Sequence, residues 1–191
     1  MPRLKDESKI TDLHQAARRL LIRTGYAGLK MADVAKEAGV ATGTVYTYFT
    51  NKEELINQVF TATKKEVAGV LLDPANVGPT FFESFRRMWF AYFTFCFTQP
   101  EKMLFVEQLL HSGLLAEASI TQMDQDFEPL DAFIRQGQQE AILRSVNVEI
   151  IKAQLMGPIH EIVKYSLQRQ MNLEQGTLNQ CFDMAWNSVR R

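Results

Sequence analysis

The sequence predicts an all-α fold: a small three-helix head containing a helix-turn-helix, followed by a larger helical-bundle body. Three observations carry this. Apolar residues recur at spacings of three and four along nearly the whole chain. No stretch alternates apolar and polar residues as a half-buried strand would, and no internal repeat or low-complexity tract interrupts the pattern. Gly25, Gly39, "DPANVGP" at 73–79, "QP" at 99–100 and "HSG" at 111–113 punctuate it.

The elements follow in order. Ile10, Leu13, Ala17, Leu20 and Leu21 make one face of a helix over 9–24, with Gly25 as its stop. Met31, Val34, Ala35 and Ala38 mark a short second helix closed by Gly39, and a third covers 42–48. A fourth opens at Asn51, a good N-cap, with Glu53 and Glu54 in the first turn where the helix dipole favours negative charge. It runs to about Leu72. The breaker at 73–79 divides the chain into a head over 1–50 with a connecting helix over 51–72, and a body over 73–191. Five more helices are predicted in the body, over 79–98, 100–111, 116–138, 147–169 and 174–189.

With 191 residues and 46% apolar content, the chain can bury a sizeable core. Its net charge of −1 excludes a uniformly basic nucleic-acid binder. The charge is uneven, however. Residues 1–52 hold nine Lys/Arg against five Asp/Glu, and residues 53–191 hold twelve against seventeen, which reads as a basic head on an acidic body. The first ten residues contain no signal-peptide core, and the most apolar run, 88–97, is too short to span a bilayer. Cys96 and Cys181 sit in apolar helical patterns, the expected place for reduced thiols. These points predict a cytoplasmic chain with no membrane partner and no cofactor.

Residues 31–48 have the length and turn chemistry of a helix-turn-helix. On a wheel of 100° per residue, Val45 and Phe49 of the second helix face the core. Gly43 and Thr47 point away from it, flanked by Thr44 and Tyr46, with Tyr48 nearer the core edge. A solvated face would favour Glu and Lys on propensity. Gly, Thr and Tyr suit a DNA groove: glycine permits close approach, threonine offers a hydroxyl or methyl to bases, and tyrosine hydroxyls reach phosphates. Lys52, at the mouth of the fourth helix, adds charge beside free backbone N–H groups, an anion-binding arrangement.

Residues 17–55 carry Gly25-Tyr26, Val34-Ala35, Ala38-Gly39-Val40, Gly43-Thr44-Val45-Tyr46, Tyr48-Phe49 and Lys52-Glu53-Glu54-Leu55. In that order these motifs resemble the DNA-binding domain of the TetR family of transcriptional regulators. The resemblance implies a ligand-responsive regulator, most often a repressor, that binds a palindromic double-stranded DNA operator as a homodimer. It also implies DNA contacts from Lys30, Thr42, Gly43, Thr44, Tyr46, Thr47, Tyr48 and Lys52. Two positions depart from the family pattern. Leu29-Lys30-Met31 stands where a capping Thr is usual; Lys30 replaces the phosphate contact by charge, but the cap is lost. Ala41 replaces a Ser before the recognition helix, which leaves Thr42 to cap one residue later and shorten that helix.

The body has its own signals. Phe81, Phe82, Phe85, Trp89, Tyr92, Phe93 and Cys96 share one broad helical face. Such a face is ordinary core or, as the resemblance implies, the wall of an effector pocket for a small apolar or aromatic molecule. The expected lining is Phe85, Trp89, Tyr92 and Phe93, with Met103, Met123, Phe127 and Met156 as an adaptable wall. The helix over 147–169 is apolar on two sides, so one side needs a second partner. The resemblance makes that partner another copy of the chain, met by Ala153, Met156, His160, Val163 and Leu167. The last helix would add Leu178, Phe182, Ala185 and Trp186. An enzyme is the rival class. "HEIVK" at 160–164 begins like a zinc-protease motif, but Lys164 stands where the second histidine is required. A helical small-molecule binder without DNA recognition is the other alternative.

Overall fold

A computed structural model describes residues 7–169 and 173–191. Among these residues the regular structure is helical: α1 (Glu7–Gly28), α2 (Met31–Glu37), α3 (Thr42–Tyr48), α4 (Lys52–Leu71), α5 (Phe81–Thr98), α6 (Pro100–Leu110), α7 (Glu117–Gln139), α8 (Val148–Arg169) and α9 (Gln175–Val189). The fold is all-α. Helix α1 outlasts its predicted stop. Gly25 breaks it with φ of 67°, and Tyr26–Gly28 add one further turn.

Local chemistry explains the boundaries. Asn51 Oδ1 accepts from the Glu54 N–H at 2.8 Å and caps α4, while Glu54 Oε2 accepts from the Thr50 N–H at 2.6 Å. Thr80 caps α5 by accepting from the Glu83 N–H at 3.2 Å, and its hydroxyl donates to the Glu83 carboxylate at 2.9 Å. Pro100 opens α6, where its missing N–H costs nothing. The breaker at 73–79 contains a 3₁₀ turn at Pro74–Asn76, and the Asn76 amide donates to the Val70 and Leu71 carbonyls at the end of α4.

The chain packs as two compact units, residues 1–64 with 101–123, and residues 65–100 with 124–191. The boundaries fall inside α4, at the start of α6 and inside α7, not at the breaker. The reason lies in α6, where Phe105, Val106 and Leu109 join the buried cluster of Leu21, Val34, Val45, Phe49 and Phe60. In the second unit α5 packs against α8 and α9. Phe81 stacks on Phe133 with ring centroids 4.4 Å apart. Gly137 is required here, because a Cβ would run into the Phe81 ring. The chain end pairs with the α7–α8 connection: Arg144 N–H donates to Val189 O and Arg191 N–H to Ile142 O.

Candidate nucleic-acid interface and ligand cavity

Helix α2 ends in a Schellman turn. Gly39 has φ of 68°, its N–H donates to Lys36 O at 3.2 Å, and the Val40 N–H donates to Ala35 O at 2.9 Å. This turn aims α3. Val45 and Phe49 are fully buried, while Thr42, Gly43, Tyr46 and Thr47 are exposed and Thr44 and Tyr48 half-buried. The inner face is therefore spent on packing and the outer face is open. The Thr47 hydroxyl donates to Gly43 O at 3.2 Å, which leaves its methyl and an oxygen lone pair to face outward. Lys30 is exposed at the N-cap of α2 and its side chain makes no cap bond. The expected shortening of α3 does not occur. The helix starts at Thr42, Ala41 is its N-cap without a side-chain bond, and Thr44 N–H donates to Ala41 O at 2.8 Å. The backbone turn supplies what the missing side-chain cap would have.

Lys52 is tied into the head. Its Nζ donates to the Tyr26 carbonyl at 3.0 Å and lies 4.0 Å from the Tyr26 ring centroid. The Tyr26 hydroxyl donates to the Glu53 carboxylate. Partial burial and the adjacent carboxylate push the Tyr26 hydroxyl up to about 12, and the same hydrogen bond holds Glu53 below its usual range. This cluster pins the last turn of α1 to the first turn of α4. Helical periodicity gave no sign of it, because its partners lie 26 and 27 residues apart.

The second unit holds an apolar cavity of about 50 Å³. Phe85, Met88, Trp89 and Tyr92 of α5 form one wall, Leu130, Phe133 and Ile134 of α7 another, and Lys152, Leu155, Met156 and Ile159 of α8 a third. Of the predicted lining, Phe85, Trp89, Tyr92 and Met156 are brought together here. Phe93 is not among them, since it stacks behind Trp89 at 5.7 Å. Phe127 is buried a turn before Leu130 without reaching the space. Met103 and Met123 belong to the other compact unit, where Met123 packs on the head core. From α7 the expected residues were Met123 and Phe127; those that line the cavity are Leu130, Phe133 and Ile134, further along the same helix at spacings of three and four.

Two polar groups border the cavity residues. The Tyr92 hydroxyl and His160 Nε2 are 2.7 Å apart. Lys152 Nζ lies 2.9 Å from Asp131 and 2.5 Å from Glu149. Burial pushes the Cys96 thiol, next to Tyr92 on the helix, up to about 12, which makes it a poor nucleophile.

Residues 13–59 match the family model described as bacterial regulatory proteins, tetR family. Residues 80–190 match the model of the tetracyclin repressor-like C-terminal domain, which covers more than half of the chain. The chain belongs to the TetR family. It is similar to an uncharacterised HTH-type transcriptional regulator of Haemophilus influenzae, 39% identical over 77 residues, 40% of this chain and 41% of the relative. A second relative, the HTH-type transcriptional regulator YhgD of Bacillus subtilis, is 32% identical over 108 residues, 56% of each chain. The matched segments thus span about half or less of these relatives' length. The crystal structure of a TetR family transcription regulator from Marinobacter aquaeolei VT8 superposes with a TM-score of 0.91 at 25% identity, covering 97% of both chains.

The residues expected at a TetR-family dimer contact do not share one environment. Val163, Phe182 and Ala185 are buried within the single chain. Phe182 meets Phe82, Phe85, Trp89 and Phe90 of α5, so the aromatic helix has already taken that face of α9. Trp186 and Leu178 are half-buried, Trp186 lying edge-on to Phe82 and Phe85. Met156 lines the cavity and His160 pairs with Tyr92, so both are turned inward. Ala153 and Leu167 remain on the solvent side, together with Ile150 and Tyr165 of α8 and Met184 of α9.

Proposed function

We propose that this chain is a ligand-responsive transcriptional regulator that represses by binding a palindromic operator as a homodimer. The observation that carries the reading is the outer face of α3: four exposed residues, Thr42, Gly43, Tyr46 and Thr47, on a helix whose other side is sealed by Val45 and Phe49. A helix presenting small and hydroxylated residues fits a major groove about 12 Å wide. Lys30 and Lys52 would contact phosphates on either side, Lys52 with the ammonium donors not used on Tyr26. The functional division is a reading head (1–50), a connecting helix (51–72) and a body (73–191), and it cuts across the two packing units. The protein acts in the cytoplasm, where DNA is accessible, and no catalytic step is assigned to it.

In this reading the second copy covers the exposed apolar residues of α8 and α9, Ile150, Tyr165, Leu167 and Met184. An apolar or aromatic effector enters the cavity beside Trp89. It favours a conformation whose two heads no longer match half-sites about 34–36 Å apart. A coupling of about 1–3 kcal/mol changes operator affinity by about 5–150-fold. Helix α4 contributes residues to both packing units and is the covalent route for that coupling.

The test is fluorescence anisotropy on labelled DNA from upstream of the protein's own gene, at two salt concentrations, with scrambled competitor. Tight, salt-steep binding that survives competitor supports the regulator. Weak binding lost equally to competitor, repeated with DNA selected from random sequence, would sink it in favour of a helical small-molecule binder.

A further inference from the structure

The seven residues of α3 include no arginine, lysine, asparagine, glutamine, aspartate or glutamate. The bidentate pairs that identify guanine or adenine in a major groove need the longer of those side chains, so this helix makes none of them. Most hydroxyls do not replace them, because a hydroxyl donates or accepts as its neighbour requires. Thr47 is the exception. Its hydroxyl proton is committed to Gly43 O at 3.2 Å, so its oxygen offers an outside partner only a lone pair. The same bond draws the oxygen back along the helix and leaves the methyl to the solvent side of this exposed residue.

The surroundings keep that methyl open. Side chains of a helix lean toward its N-terminus, so Thr47 lies over the turn that begins at Gly43. A Cβ at Gly43 would meet no protein atom within 4 Å, so packing does not call for glycine there. Glycine weakens a helix relative to alanine. Here it leaves bare backbone beside Thr47, over which a base edge can close. A lone pair with a methyl beside it is matched by one kind of base pair. A·T presents the adenine amino donor and the thymine methyl together in the major groove, whereas G·C presents an amino donor and no methyl. The methyl therefore decides between them.

We propose that Thr47 is a specificity-determining residue, reading an A·T pair in each operator half-site through contact with the thymine methyl group. This assignment rests on the reading of α3 as the helix that enters the major groove. The probes are duplexes selected from random DNA by the full chain, in which each thymine is replaced in turn by deoxyuridine. That change deletes the methyl and keeps the base pair. Replacing the symmetry-related thymines under Thr47 in both half-sites should weaken binding about fifteenfold, about fourfold for each buried methyl. Thr47→Ser removes the methyl on the protein side and keeps the hydroxyl. It should lose a similar factor on the unmodified duplex, and deoxyuridine at the same thymines should cost it nothing further. With guanine opposite, 5-methylcytosine at that position should bind the native chain more tightly than cytosine, since only the methyl returns.

Selected duplexes indifferent to deoxyuridine at every thymine, a deoxyuridine penalty that Thr47→Ser still shows in full, or equal binding of cytosine and 5-methylcytosine would each overturn the assignment. Because Thr47 is exposed, Thr47→Ser should melt at the native temperature. If it does not, the deoxyuridine and 5-methylcytosine series on the native chain decide alone. The same measurements separate the two readings. Sequence-specific, salt-steep binding that ignores deoxyuridine removes only the role of Thr47 and leaves the regulator standing. Failure of the full chain to enrich any sequence from random DNA removes both.

Discussion

Tyr46 shows what a single side chain contributes when it is not part of the core. It is 54% exposed on the outer face of α3, so its removal takes little from folding. Tyr46→Ala is expected to weaken operator binding by about 1 kcal/mol or more, roughly fivefold, with an unchanged melting temperature. Anisotropy and thermal denaturation on the same preparation check this, and unchanged affinity would remove Tyr46 from the interface. Tyr26 is the opposite case, a residue whose hydroxyl serves the head internally. In the fold it holds its proton up to about 12, against about 10 for a free tyrosine. A raised value means that the folded state binds the proton more tightly, so the contribution is complete below pH about 10 and is lost as pH rises from there to about 12. The melting temperature of the native chain should exceed that of Tyr26→Phe below pH about 10, and the gap should close in that window. A gap independent of pH would show that the hydroxyl bond contributes nothing. Glu53 titrates in the other sense. Its value is lowered, so its contribution is present above the usual carboxylate range and lost in acid.

At the level of the element, the N-terminus of α4 combines a cap and a staple. Asn51 satisfies the Glu54 N–H, and the next two residues, Lys52 and Glu53, grip Tyr26. Asn51→Ala is expected to cost about 1 kcal/mol and to loosen the head. Hydrogen exchange should rise first at the Glu54 amide and the Tyr26 turn, with α8 and α9 unaffected. Exchange that rises uniformly would show that this end of α4 is not a local anchor. Helix α5 makes a related point about packing. Its ring-rich face is divided between two duties, Phe82 and Phe90 turning to Phe182 while Phe85 and Trp89 also border the cavity. One helix therefore supplies both core and pocket, and the core-or-pocket choice posed by its sequence was not exclusive.

For the whole molecule, the question is which apolar surface the chain leaves for another copy. Val163, Phe182 and Ala185 are consumed internally, whereas Leu167 and Met184 are 46% and 65% exposed. Replacing both with Glu should convert a dimer to a monomer in light scattering, because two desolvated charges in an apolar contact are strongly unfavourable. Helical content should be retained, and affinity for a palindromic operator should fall to that of a half-site. A variant that stays dimeric would move the contact to another surface.

The sequence by itself determined the helices, their order and the helix-turn-helix, including the outward set at 42–47 and the inward pair Val45 and Phe49. These are consequences of short-range geometry: a 3.6-residue repeat, a glycine that accepts positive φ, a cap within three residues. Tertiary structure decided what periodicity cannot express. It placed residues 101–123 with the head, left Phe93, Met103, Met123 and Phe127 outside the cavity, and moved the α7 share of its wall to Leu130, Phe133 and Ile134. It turned Phe182 inward and Leu167 outward, though both sit on apolar helical faces. The physical reason is that an amphipathic helix states how much surface must be buried but not against what. That choice is made by the shapes of partners far away in sequence, such as the rings of α5 against Phe182.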